Sequence, residues 1–179
     1  MKFKVTIPDV NALEGALAEF GPQASRAAAL AVSTTTRATG TAGRREASAR
    51  SGISQKRLAR RFYVRSNGLD GVVWIGLDPL PAGYAEPLTP RRPNPTQQRA
   101  LAGASAKGGA FEFPDAFVAR MPSGHVGIFR RVGKKRLPIN EERLTAEQLG
   151  LSGLGEYLQA FASAKLYSEL DRQLGRLWE

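Results

Sequence analysis

Gln23 to Arg50 reads QASRAAALAVSTTTRATGTAGRREASAR, and this stretch decides the fold. Alanine and arginine are strong helix formers, so it is a long helix. Ala27, Leu30, Ala31, Thr34, Ala38 and Ala42 recur at three- and four-residue spacing and fall on one helical face. That face is made of small residues, which let a helix pack closely on a sheet or on a copy of itself. Thr34-Thr35-Thr36 and Gly40 weaken the centre, so a bend or break near Gly40 is expected.

Moving outward, Ser51-Gly52 ends the helix. Ser54 can cap a second short helix, Gln55 to Arg61, with Ile53 and Leu58 packed around its start. Phe62 to Arg65 and Gly71 to Leu77 read as a β-hairpin across the turn-rich link Ser66 to Gly71. Val72, Trp74 and Leu77, or Val73 and Ile75, give that hairpin its apolar faces. Pro79 to Gly109 has six prolines and little apolar periodicity, and reads as a mobile loop that orders on a partner. Ala116 to Met121 and His125 to Val132 are strand-like, turned by Pro122-Ser123-Gly124, with a third short strand at Arg136 to Ile139. Tyr157, Leu158, Phe161, Leu166, Leu170, Leu174 and Leu177 mark an amphipathic helix within Gly155 to Trp178. At the other end, Lys2 to Ile7 alternates like a strand, and Leu13, Leu17 and Phe20 mark a short helix capped by Asp9 or Asn11. The expected class is α+β: a small antiparallel sheet packed against a long N-terminal helix and a C-terminal amphipathic helix. The long mobile loop at 79–109 lies within one domain spanning 1–179.

Composition narrows the function. The chain has 179 residues, no cysteine and a net charge of +10. Disulfides, thiolate metal sites and cysteine nucleophiles are excluded. Met1 to Val10 lacks the apolar run of a secretory signal, and nothing approaches the roughly 20 apolar residues that span a bilayer. A soluble protein with no membrane contact is expected. Ten bases lie between Arg26 and Arg65 against one acid, Glu46. A second basic run holds Arg130, Arg131, Lys134, Lys135 and Arg136. From Ala146 onward there are five acids and three bases. Such a field attracts polyanions or an acidic protein surface.

Catalysis finds little footing. His125 is the one histidine, the pairs Glu112/Asp115 and Glu141/Glu142 lack a third acid at suggestive spacing, and Ser123-Gly124-His125 is no nucleophile elbow. Gly108-Gly109 lacks the Lys-Ser/Thr of a phosphate-binding loop. No catalytic, cofactor-binding or metal-binding residue is assigned, and the chain reads as no enzyme. Ser51 to Arg61 is similar to the turn and second helix of a helix-turn-helix unit. That leaves an alternative: DNA binding, nonspecific or of helix-turn-helix type, through residues 51–65.

The stretch Gly108 to Ile139, GGAFEFPDAFVARMPSGHVGIFRRVGKKRLPI, carries a more specific signal. It resembles the core signature of the minor tail protein Z family of tailed phages and the tail-completion proteins related to it. The matching residues are Ala116-Phe117, Met121, Gly124, His125, Val126, Phe129, Arg130, Arg131, Gly133, Lys134, Arg136, Leu137, Pro138 and Ile139, with Gly109-Ala110-Phe111 as a second register for the first element. The resemblance covers roughly residues 20 to 175, and the acidic, leucine-rich C-terminus departs from it. It implies a virion protein, assembled in the host cytoplasm, that completes the head-proximal end of the tail and supports head–tail joining. It would do so as a homo-oligomeric ring, six copies by tail symmetry, beside other neck and tail proteins. On that reading Ala27, Ala31, Ala38, Phe117, Phe129 and Pro138 are candidates for the subunit interface. Arg57, Arg60, Arg61, Arg130, Arg131, Lys134, Lys135 and Arg136 are candidates for contact with an acidic partner or, nonspecifically, with DNA in the tail lumen.

Overall fold

The computed structural model describes residues 2–6, 21–91, 103–133, 135 and 137–176, and the strand at 2–6 by its backbone alone. The expected short helix at Leu13 to Phe20 lies outside the described residues. The fold is α+β, with contacts that divide the chain into two compact units.

The first unit takes residues 1–47, 58–77 and 152–179. Its sheet has the order β1 (Lys2–Thr6), β3 (Asp70–Gly76), β2 (Phe62–Asn67), antiparallel throughout. The register puts Phe3 and Phe62 on either side of Ile75, and Val5 and Val64 on either side of Val73. Val73 and Ile75 are buried, so alternation along the central strand sets the core side of the sheet. The hairpin between β2 and β3 closes in two residues, with Gly68 at φ +55°.

Helix α1 (Gly21–Ser51) runs unbroken through Gly40, against expectation. The glycines there serve a close approach to strand β2. A Cβ on Gly40 would stand 2.5 Å from Val64 Cγ2, and one on Gly43 would stand 2.8 Å from Phe62 Cε1. The buried face of α1 also differs from the expected stripe. It includes Ala24, Ala28, Ala31, Val32, Thr35, Thr36, Thr39, Gly40, Gly43 and Ala47, while Leu30 is 56% exposed. Alanine at so many positions satisfies several helical faces at once, and the branched Val32 anchors the one that packs. Ala31 and Val32 meet Leu166, with Leu69 and Leu170 packed against them; Ala24 and Ala28 meet Leu69, Leu170 and Leu174. The Thr36 hydroxyl donates to Val32 O at 2.7 Å, whereas the buried Thr35 and Thr39 hydroxyls have no partner.

Helix α3 (Leu154–Gly175) completes this unit. Leu154, Leu158, Ala162 and Leu166 form its buried stripe, which continues into Glu169 and Gln173. Tyr157 and Phe161, expected on the core side, instead stack on each other at 6.4 Å, and Tyr157 is exposed. Buried Glu169 accepts from Lys165 Nζ at 2.8 Å and from Arg172 Nε and Nη2 at 2.9 and 2.5 Å. These cations, Lys165 foremost, hold its carboxyl below the usual glutamate value, against the burial that pushes it up. The unfolded chain therefore binds this proton more tightly than the folded one. The stability it contributes is complete above the unfolded pKa and is lost as pH falls through the folded one. Glu169→Gln is expected to flatten the acid limb of stability against pH, measured by urea unfolding. Parallel acid limbs for the two chains would refute this assignment.

The second unit takes residues 48–57 and 78–151. It opens with the last turn of α1, where Gly52 N donates to Ser48 O at 2.9 Å and Lys107 Nζ to Arg50 O at 3.1 Å. Both ends of the expected 79–109 loop carry structure. Strands β4 (Leu80–Pro81) and β5 (Thr89–Arg91) precede residues 92–102, which lie outside the described residues, and β6 (Gly103–Ala106) follows them. Proline hides these strands from propensity, since Pro81 and Pro90 sit within short strands at a sheet edge. Strand β6 pairs with β5 and with β7 (Phe111–Pro114). A further sheet has the order β10 (Ile139–Glu141), β9 (Val126–Arg131), β8 (Ala116–Arg120), and β11 (Arg143–Leu144) pairs with β4. Ile128 and Phe129 on β9, with Ala104, Ala106, Phe113 and Ala116, are buried.

Candidate functional site

The stretch that carries the family signature supplies β7, β8, β9 and the first residue of β10, and β9 is the centre of the β8–β9–β10 sheet. Gly127, Ile128 and Phe129 are buried there; Arg130 and Arg131 beyond them are exposed. The register sets Phe117 opposite Phe129, with ring centroids 6.3 Å apart. Both were interface candidates. Phe129 is buried within its own chain and Phe117 is half-buried, so Phe117 is the one a neighbour can still reach.

The adjacent acids Glu141 and Glu142 take separate partners, as successive strand positions point to opposite faces. Glu141 Oε1 lies 2.5 Å from His125 Nε2, and Glu142 Oε1 accepts from Arg130 Nε at 2.6 Å. His125 meets the rings of Tyr84 and Phe129 edge-on, at 6.5 and 6.3 Å. At the far side, Arg57 Cζ lies 5.3 Å from the Tyr84 ring centroid, and its guanidinium donates to Tyr84 O at 3.2 Å and to Glu86 Oε1 at 2.6 Å. At the near side, Arg131 Cζ lies 5.4 Å over the Phe117 ring. Arg57, Tyr84, His125, Phe129, Phe117 and Arg131 thus form a continuous series of ring contacts with a cation at each end.

This arrangement divides the basic candidates. Arg57 and Arg130 are tied to carboxylates. Arg60, Arg131 and Lys135 are exposed, Arg61 is half-buried, and Lys134 and Arg136 lie outside the described residues. Among the remaining interface candidates, Ala27 and Ala38 are half-buried, Pro138 is exposed, and Ala31 is fully buried under Leu166. Ala31 is therefore core, and Ala31→Arg would break the fold before it tested an interface. The expected second helix is a single turn, α2 (Gln55–Leu58), followed by a 3-10 turn at Ala59–Arg61 and strand β2. That is too short to enter a groove as a recognition helix.

Sequence reasoning missed Tyr84, Glu86 and Gly83, which sit in the proline-rich stretch. It treated Glu141, Glu142 and His125 as unremarkable, and only the strand alternation of 139–142 could have assigned the two acids to different faces. Among the described residues no group of three or more His, Asp or Glu is placed to hold a metal ion. No described helix is long and apolar enough to cross a membrane.

No curated protein and no solved structure matches the chain. A family model described as prophage minor tail protein Z (GPZ) matches residues 11–175 of the 179. The match spans α1, the signature sheet and α3 together, so it covers both units rather than one motif. On that extent the chain belongs to the prophage minor tail protein Z family, a structural family of phage tails.

Proposed function

We propose that this tail protein completes the head-proximal end of a phage tail and supports head–tail joining, as a ring of copies. The match to the minor tail protein Z family over residues 11–175 carries this reading. Its residues 1–179 act as one tail-completion domain, a view supported by the chain passing back and forth between its two units. The ring has six copies by the symmetry of a tail, and its neighbours are other neck and tail proteins. Of the interface candidates that side-chain packing leaves accessible, Ala27, Ala38 and Phe117 meet the neighbouring copy, and Pro138 remains for another partner. DNA contact in the lumen is nonspecific and falls to Lys56 and Arg60, which are exposed. The role is structural, and no catalytic step is assigned.

The test is a phage lacking this chain, examined by electron microscopy of its lysate. Separate filled heads and free tails are expected, with joining restored when the purified chain is added. Particles that join at the normal rate without it would overturn the reading. Sedimentation of the chain on purified tails reports the copy number.

A further inference from the structure

We infer that the end of the β9–β10 hairpin is a docking prong for a different protein, one that offers an apolar pocket rimmed by acidic side chains. Beyond the paired residues Arg131 and Ile139, Val132 N donates to Pro138 O at 3.2 Å and holds the hairpin end closed. Val132 is 61% and Leu137 65% exposed, and they are the exposed large apolar side chains among the described residues of this unit. Pro138 and Lys135 beside them are exposed too. Among the other described residues of the unit, Ile53, Leu80, Ile128, Leu144, Leu149 and Leu151 are buried, and Leu88, Val118, Val126 and Ile139 are half-buried. Two such side chains left in water at one hairpin end mark a surface that another molecule covers.

The charge around them selects the partner. From Val126 to Asn140 the sequence holds no acid. The nearest acids, Glu141 and Glu142, are held by His125 and Arg130. Among the described residues, an incoming surface therefore meets aliphatic carbon and the exposed cations Arg131 and Lys135. Duplex DNA offers phosphates for the cations and nothing apolar for Val132 and Leu137. A protein interface supplies both, with an apolar centre and a charged rim. A second copy meeting this one hairpin end to hairpin end would set like charges against each other and supply no acidic rim. Complementarity thus points to an acidic protein.

The inference uses the tail-protein reading only to say where the natural partner resides. The first test is on the purified full chain. A synthetic peptide rich in Glu, Asp and Leu is titrated by fluorescence anisotropy beside poly-glutamate and a short DNA duplex. The acidic, leucine-containing peptide should bind more tightly than poly-glutamate. Val132→Ser with Leu137→Ser should weaken it at least tenfold and leave DNA binding and the circular dichroism spectrum unchanged. Equal binding of the two peptides, or an unaltered affinity in the double variant, overturns the prong. So does a loss confined to DNA.

The second test applies zero-length carbodiimide coupling to purified tails. Lys135 should join to an Asp or Glu of a different tail protein. Coupling to a second copy, or protection of Lys135 that nuclease treatment removes, overturns the assignment. Absence of the chain from tails would defeat the tail reading, while the peptide titration would still decide the prong.

Discussion

Gly83→Ala is expected to lower the thermal midpoint by roughly 5 to 10 °C, from an overpacking cost of about 2 to 3 kcal/mol. Gly83 sits in the 3-10 turn Ala82–Tyr84, whose first amide donates to Glu142 O at 2.8 Å. The turn is thereby pressed onto the start of β9. A Cβ at Gly83 would stand 2.5 Å from Val126 O and 2.8 Å from Gly127 Cα. Both are backbone atoms of a central strand, so no rotamer change relieves the overlap. Gly127 cannot retreat either, since its own Cβ position is filled by Glu141 Oε1 at 2.8 Å and His125 Nε2 at 3.2 Å. Gly133→Ala is the control, because nothing lies within 4 Å of the added methyl. A thermal scan in which the two variants melt together would show that the turn does not rest on β9 as described.

Gly43→Val in α1 should cost about 3 kcal/mol, read as a lower urea midpoint at unchanged slope. Two effects compete at a helical glycine. A side chain gains about 1 kcal/mol in helix propensity for alanine, and less for a β-branched residue. Against this, the Cβ alone would meet Phe62 Cε1 at 2.8 Å and Leu158 Cδ1 at 3.1 Å. Leu158 is fully buried and has nowhere to go. Valine adds two further methyls to that wedge, so packing wins. Gly40→Ala is expected to be close to neutral, although its overlap with Val64 Cγ2 is nominally worse at 2.5 Å. Val64 lies on the edge strand β2 and is exposed, so it can turn aside and let the propensity gain offset the strain. Loss of stability at Gly40 with none at Gly43 would refute the wedging of Gly43 between Phe62 and Leu158.

The contrast between these two glycines also explains what the sequence could show. The existence of α1, the hairpin at 62–76, the strands at 116–131 and the helix at 154–175 follow from propensity and periodicity, and all are present. Which way α1 turns was not legible. Ala24, Ala27, Ala28, Ala31 and Ala38 are chemically alike, and only contact with Leu69, Leu166 and Leu170 from distant parts of the chain separates core from surface. The signature stretch located β8 and β9 correctly, but the third strand, expected at Arg136 to Ile139, begins only at Ile139 and runs to Glu141, because Leu137 and Pro138 lie outside the pairing with β9. It did not show that Arg130 and Arg57 are neutralised, because Glu142 and Glu86 come from other segments. Strands β4, β5 and β6 were hidden by proline and glycine, whose low strand propensity is overridden at edges by pairing.

The order in which the two units draw on the chain has a consequence for synthesis. The first unit takes its sheet from residues 2–6 and 62–76 but its closing helix from 154–175. Leu166 and Leu170, which cover Ala31, leave the ribosome more than a hundred residues after it. At the usual translation rate of about 5–20 residues per second, α1 waits for seconds with its alanine face bare. The second unit draws on 48–57 and 78–151 and has its residues in hand before that helix exists. It is thus positioned to fold first, while the chain's two ends find each other last.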